Sequence, residues 1–245
     1  VLKASHFFLF NGIQIDENLP AYDVPHGFEE QVAASRPNRA VIANLEEALQ
    51  SDNSWFLIHG SPGSGKSTLS ASFSPSLKTM VVACRYFLKI PNDSEPLALR
   101  RSKIYFLEYL ENMIATTITG QRLPKEELSF EQRLARMGDL LDQFAAYHLA
   151  KDQTVCIIID GLDEVPSLEE FLGVLPQTIP MGIKIILSST SPQILPSSYR
   201  NLVADEQQIL VTPLTMSQCE GLIIEELGQD LLSVDEVQDV AQKSE

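Results

Sequence analysis

The chain has 245 residues, 44% of them hydrophobic and 21% charged, which suits one large or two small domains with a well-packed core. Its formal net charge of −15 would repel a phosphate backbone, and its largest basic cluster is the pair Arg100-Arg101, so a broad nucleic-acid footprint is disfavoured. No apolar run approaches the ~20 residues that span a bilayer, and the N-terminus lacks the basic flank and cleavage site of a signal peptide.

Residues 1–26 mix the short apolar run His6 to Phe10 with Asn11-Gly12, Pro20 and Pro25, and they read as an extended arm or linker. From about Phe28 to Gln50 the spacing of Val41, Ile42, Leu45, Ala48 and Leu49 predicts a helix closed by Ser51-Asp52-Asn53. Trp55 to Ile58 is a short apolar strand, and Ser67 to Phe73 opens the next helix. Met80 to Cys84 reads as a second strand. A mostly helical stretch from about Pro96 to Gly120 follows, then a helix over about Phe130 to Ala150 with the apolar stripe Leu134, Met137, Leu140, Leu141 and Phe144.

The β-branched run Val155 to Ile159 is what a central parallel strand covered on both faces requires. Ile183 to Leu187 and Gln208 to Val211 are two more such runs, with a short helix over Leu168 to Leu175 before the first of them. Strands alternating with helices predict an α/β fold, a parallel sheet of five strands with helices on both faces. After Pro213 the pattern is helical, Ser217 to Leu227 and Val234 to Lys243, and reads as the start of a small helical lid. The expected division is an arm over 1–26, an NTPase domain over 27–213 and a truncated lid over 214–245. Because the chain opens on Val1 and its last segment still reads as a helix, it is expected to be a piece of a longer protein. Cys84, Cys156 and Cys219 are far apart without zinc or dyad spacing, so they are expected to be structural thiols in a reducing, cytoplasmic setting.

Between the first strand and the second helix lies Gly60, Ser61, Pro62, Gly63, Ser64, Gly65, Lys66, Ser67, Thr68, which satisfies the Gly-x₄-Gly-Lys-Ser pattern of a phosphate loop in the strand-loop-helix context that pattern requires. Such a loop turns successive backbone N–H groups inward as an anion nest, and the following helix adds its positive end. Lys66 is expected to meet the β- and γ-phosphates of ATP or ADP, Ser67 to ligate Mg²⁺, and Thr68 to face the α-phosphate. A glycine-rich turn that merely links strand to helix is the structural alternative.

The strand ending in Asp160 is followed by Gly161, Leu162, Asp163 and Glu164. Ligands of open parallel sheets bind at the carboxyl ends of strands, so Asp160 is expected beside the phosphate loop, holding Mg²⁺ opposite Ser67. Asp163 is the preferred group to orient or deprotonate the attacking water, with Glu164 the other candidate. Helix capping is the alternative role for both.

These motifs resemble the STAND class of P-loop ATPases and, within it, the NACHT family. The resemblance rests on Phe56 to Leu69 and on Asp160-Gly-Leu-Asp-Glu164, where a small residue follows the metal acid; ordinary AAA ATPases place a glutamate there. It extends through Ile183 to Pro192 and Leu210 to Ser217, and it implies an AAA-like core. The segment Arg36-Pro-Asn-Arg39 resembles the one that packs near adenine in such proteins, which makes Arg39 a candidate nucleotide contact. The family usually ends its fourth strand in Thr-Ser-Arg, whereas this chain reads Ser188-Ser-Thr-Ser191-Pro192, without the arginine. The resemblance implies a nucleotide-controlled switch that self-associates through this domain, linked to effector and sensor domains outside it, with slow hydrolysis. A scaffold that binds nucleotide without hydrolysing it is the second reading, and a P-loop nucleotide or small-molecule kinase the third.

Overall fold

In a computed structural model the structure describes residues 7–10, 13–16, 38–90, 97–124, 128–215 and 218. Strands β1 (Phe7–Phe10) and β2 (Ile13–Asp16) pair antiparallel, Phe10 opposite Ile13. The stretch expected to be an extended arm is thus, where described, a small two-stranded sheet. Asn11-Gly12 between the strands is a sequence pair that favours two-residue hairpin connections, a signal read above as a linker.

Helix α1 (Arg39–Leu49) starts where the Asn38 side chain accepts the Ala40 N–H at 3.1 Å, and its buried Val41, Leu45 and Leu49 recur every four residues on one face. The expected start near Phe28 lies outside the described residues. Then come β3 (Trp55–His59), α2 (Lys66–Ser72) and β4 (Met80–Phe87). β4 runs three residues past the expected end because Arg85, which looks like a strand breaker in sequence, has a structural task. Its Nε donates to Ser70 O at 3.2 Å and its guanidinium Nη2 to Phe73 O at 2.6 Å, so the strand caps the C-terminal carbonyls of α2 with a cation.

The mostly helical stretch expected over about 96–120 is, where described, two helices, α3 (Leu97–Arg100) and α4 (Lys103–Thr119). The buried Tyr86 hydroxyl donates to the Arg100 carbonyl at 2.7 Å, which withdraws that carbonyl from the helical ladder and turns the chain at Arg101-Ser102. α5 (Phe130–Leu149) begins in a capping box: the Ser129 hydroxyl accepts from Gln132 N, and the Gln132 side chain accepts from Ser129 N. β5 (Thr154–Asp160), α6 (Leu168–Leu172), β6 (Ile183–Ser189), α7 (Ser197–Arg200) and β7 (Gln208–Leu210) complete the described core.

The five strands β3 to β7 form one parallel sheet in the order β4-β5-β6-β3-β7. Side chains alternate across it. Ile157, Ile159, Ile185, Leu187 and Leu57 join the core under α4, α5, α6 and α7, while Cys156, Ile158, Ile186, Phe56 and Ile58 join the core under α1 and α2. Cys84 and Cys156 fall on opposite faces, both buried without a disulfide, and burial pushes each thiol up to about 12. The architecture is an α/β P-loop NTPase fold. The expected lid helices over 217–227 and 234–243, and Cys219, lie outside the described residues. Among the described residues no helix is long and apolar enough to cross a membrane.

Candidate nucleotide site

The sheet order decides the site. β6 lies between β3, which leads into the glycine-rich loop, and β5, which ends in Asp160. The loop, the acid and the Ser188–Ser191 segment therefore converge at one end of the sheet, the carboxyl ends of three neighbouring strands.

The loop begins at Gly60, whose backbone lies against the far edge of the sheet. A Cβ there would stand 2.1 Å from the Val211 carbonyl oxygen and 2.9 Å from Ser64 Oγ, so only glycine permits this approach. Ser61, Pro62 and Gly63 are exposed, Ser64 and Lys66 are buried, and Gly63 and Gly65 take positive φ of 79° and 93°. α2 starts at Lys66, so the loop delivers the N–H end of a helix to the same place, with Ser67 and Thr68 in its first turn. The Lys66 ammonium folds back on the loop, donating to Gly60 O at 2.7 Å and Ser61 O at 2.9 Å. Burial lowers its pKa, and the negative charges of Asp163 and then Asp160 oppose that. His59, at the end of β3, is lowered by burial and by Lys66.

Asp160 shares the strand parity of Cys156 and Ile158, which turns its carboxylate toward α2. There the Ser67 hydroxyl donates to Oδ2 at 2.7 Å and the Ser70 hydroxyl to Oδ1 at 2.9 Å. Asp160 is 2% exposed, and burial pushes its carboxyl above the ordinary range. Hydrogen bonds from Ser67, Ser188 and Ser70 and the charge of Lys66 pull the other way. A serine hydroxyl carries one hydrogen and two lone pairs. With its hydrogen committed to Asp160, Ser67 keeps oxygen lone pairs for a cation, and the pair offers the hard oxygen donors that Mg²⁺ takes. The residues present fit that ion. Among the described residues no cluster of three or more His, Cys, Asp or Glu could hold a metal ion.

Beyond Asp160 the backbone turns at Gly161, φ +86°, and Leu162–Glu164 form one 3₁₀ turn. Glutamate at that position would be strained, so this chain bars the acid from the place where the AAA comparison puts it. The next two acids diverge. Asp163 Oδ1 accepts both the Thr190 N–H at 2.5 Å and the Thr190 hydroxyl at 2.9 Å, which ties it to the end of β6. Glu164 is held by Lys89 at 3.1 Å and by Arg101. Ser189 donates to Ser191 O at 2.9 Å. Arg200 donates to the carbonyls of Gln193 at 2.6 Å and Leu195 at 2.7 Å and so caps its own turn. Arg39 is exposed at the first turn of α1, and its role toward a base rests on the resemblance alone.

Three functional-site contacts were not read from sequence: Ser70 on Asp160, Thr190 on Asp163, and Lys89 with Arg101 on Glu164. Ser70 had a faint signal, being one turn after Ser67 on the same helix. The others join segments whose separation in sequence carries no periodic mark.

The family model described as Nephrocystin 3, N-terminal, matches residues 43–190, from within α1 to the end of β6. No curated protein matches the chain in sequence. Among solved structures, a Walker-type ATPase of Pyrococcus abyssi is 15% identical at TM-score 0.48, covering 91% of this chain and 67% of its own. The HORMA:CdnC:Trip13 complex of E. coli MS115-1 contains a chain 13% identical at TM-score 0.47, covering 91% and 68%. The ORC1 protein of Aeropyrum pernix in complex with DNA is 15% identical at TM-score 0.46, covering 84% of this chain and 50% of that one. These are distant likenesses, and the fold assignment stands on the sheet order and the loop themselves.

Proposed function

The chain belongs to the nephrocystin 3 N-terminal family, and from that premise we propose that it is the ATP/ADP-binding regulatory domain of a multidomain signal-transduction or defence NTPase, a NACHT-like member of the STAND class. The reading divides the chain into an arm over 1–26, the NTPase domain over 27–213 and the start of a lid over 214–245. One observation carries it: the 2.7 Å hydrogen bond from Ser67 Oγ to Asp160 Oδ2, which joins the phosphate loop to the acid strand across 93 residues. That contact is what a Walker A serine and a Walker B aspartate make around a shared Mg²⁺.

In this reading backbone N–H groups of the Gly60 to Gly65 loop and the start of α2 receive phosphate, Lys66 supplies the mobile charge, Thr68 faces the α-phosphate, and Arg39 lies toward the base. Ser67 and Asp160 hold Mg²⁺, which when bound neutralises phosphate charge. Asp163, rather than Glu164, orients the attacking water. Its charge is the larger of the two acidic influences on Lys66, whereas Glu164 is engaged by two cations. Asp163→Asn is expected to lower single-turnover ATP hydrolysis by roughly 10²- to 10⁴-fold with ADP affinity changed by less than about threefold. Hydrolysis at the wild-type rate would return Asp163 to a capping role.

The switch itself requires differential nucleotide affinity between two states. Mass measurement of the intact protein is expected to give a monomer with ADP and self-association with a non-hydrolysable ATP analogue; an unchanged mass with both would remove the switch. A cytoplasmic setting fits the two buried, unbridged thiols Cys84 and Cys156. One arrangement favours the second reading, a scaffold that keeps nucleotide without turnover. The segment Ser188-Ser-Thr-Ser191-Pro192 at and after the end of β6 lacks the arginine of the resembled family, and Arg200 donates to backbone carbonyls. Slow or absent turnover with firm Mg²⁺-dependent binding is its signature.

A further inference from the structure

We infer that Ser70 is a positioning residue for the cation site: its hydroxyl fixes the Asp160 carboxylate so that Oδ2 is presented to Ser67. The inference rests on the nucleotide-binding reading above and adds to it a residue that lies outside the Gly60–Ser67 loop pattern.

Ser70 follows Ser67 by one turn of α2, so the two hydroxyls stand on the same face of the helix. They divide the carboxylate between them, Ser67 on Oδ2 at 2.7 Å and Ser70 on Oδ1 at 2.9 Å. Ser188 on β6, the neighbouring strand, also favours the charged form of this carboxylate. Ser70 is 0% exposed, and a hydroxyl that deep must find a partner or lose its hydration uncompensated. Its backbone is equally fixed, since Arg85 Nε donates to the Ser70 carbonyl at 3.2 Å. The hydroxyl is therefore anchored from both sides, by a cation on β4 at its main chain and by the helix–sheet contact around it.

The consequence concerns geometry more than charge. A carboxylate with a donor on only one oxygen can swing about its Cβ–Cγ bond. With a separate α2 donor on each oxygen, the plane of Asp160 is set before any cation arrives, and the Ser67 hydrogen is directed away from the loop. Groups that orient a metal's ligands in this way typically change metal affinity 10- to 100-fold when removed, a range of ~10–100. If Ser70 were only a small side chain filling the contact between α2 and the sheet, alanine would serve as well.

The test measures equilibrium binding of a fluorescent ADP analogue to the intact protein across a Mg²⁺ titration and, separately, in EDTA. Ser70→Ala is expected to raise the Mg²⁺ concentration at half-effect about tenfold, with EDTA affinity and the unfolding midpoint near wild type. Ser70→Cys keeps the volume with a weak donor and is expected to behave like the alanine variant, which covers the case in which alanine fails to fold. In an Asp160→Asn background Ser70→Ala is expected to add nothing, because the serine acts through that carboxylate. An unshifted Mg²⁺ midpoint, an equal loss in EDTA, or an undiminished effect in the Asp160→Asn background would each overturn the inference. Wild-type binding that is indifferent to Mg²⁺ would instead overturn the metal-site reading, and this inference with it.

Discussion

Lys66→Ala is expected to abolish useful nucleotide binding, weakening ADP and ATP by roughly 30- to 4,000-fold. The figure follows from the cost of removing one partner of a buried, hydrogen-bonded charge pair, about 2–5 kcal/mol, at about 1.4 kcal/mol per decade. Lys66 is buried at the head of α2, and its pKa is lowered by that burial, so the protein holds a cation where solvent compensates it poorly. In the structure two loop carbonyls, Gly60 O and Ser61 O, satisfy it. In the nucleotide-binding reading a phosphate becomes the anionic partner of this cation. The Ser61 carbonyl, at an exposed residue, can rehydrate when the ammonium is gone, whereas the Gly60 carbonyl is buried, so a modest loss of stability accompanies the change. Calorimetric titration with ADP and Mg²⁺ checks the loss, and a thermal scan checks the fold. Unchanged affinity would reduce the loop to a strand-to-helix connection.

The second large effect is on stability and lies away from the site. Glu111→Ala is expected to destabilise the domain by about 3 kcal/mol, which lowers the melting temperature by roughly 6–12 °C for a domain of this size. Glu111 is 0% exposed on α4, and three guanidinium N–H groups of α5 meet it: Arg136 Nε on Oε1 at 2.9 Å, Arg136 Nη2 on Oε2 at 2.9 Å, and Arg133 Nη1 on Oε2 at 2.8 Å. Arg133 also reaches Glu108 at 2.9 Å. Removing the carboxylate leaves two cations facing an apolar layer that contains Phe106, Leu110 and Leu141. The arginine side chains keep 15% and 21% exposure, which places the cost at the lower end of the range for broken buried pairs. Replacing all three partners, Glu111→Leu with Arg133→Met and Arg136→Leu, is expected to recover most of the loss, since the charges then disappear together. A loss below about 1 kcal/mol for Glu111→Ala would mean the network behaves as a surface pair.

These two residues differ in how they could be read from sequence. Lys66 belongs to a local pattern, four intervening residues between glycines and a strand before and helix after, so one stretch of chain held both the motif and its context. Glu111 sits within a helix whose other buried positions, Leu107, Leu110 and Ile114, are apolar, and periodicity treats it as a charge to be turned outward. Only the packing of α4 on α5 brings Arg133 and Arg136 to it. The same contrast holds at the ends of elements. The Val155 to Asp160 run announced its strand because a fully covered parallel strand is apolar throughout, whereas Arg85 concealed the last residues of β4 and Arg100 concealed the break before α4.

Sequence alone determined the chain order of the five sheet strands, the Gly60–Ser67 glycine-rich pattern and the acid that ends β5, because each is a property of neighbours along the chain: periodicity, turn chemistry and spacing. It also preferred Asp163 to Glu164 as the group that orients the attacking water. The tertiary structure gave the two acids different partners by placing β6 between β3 and β5. That one choice of strand order sets Thr190 against Asp163, leaves Glu164 to Lys89 and Arg101 at the other side, and lets Ser67, Ser70 and Ser188 converge on Asp160. Contacts of this kind depend on strand register and face, which no residue encodes in its own stretch of chain, so they exist only once the sheet has closed around its buried core.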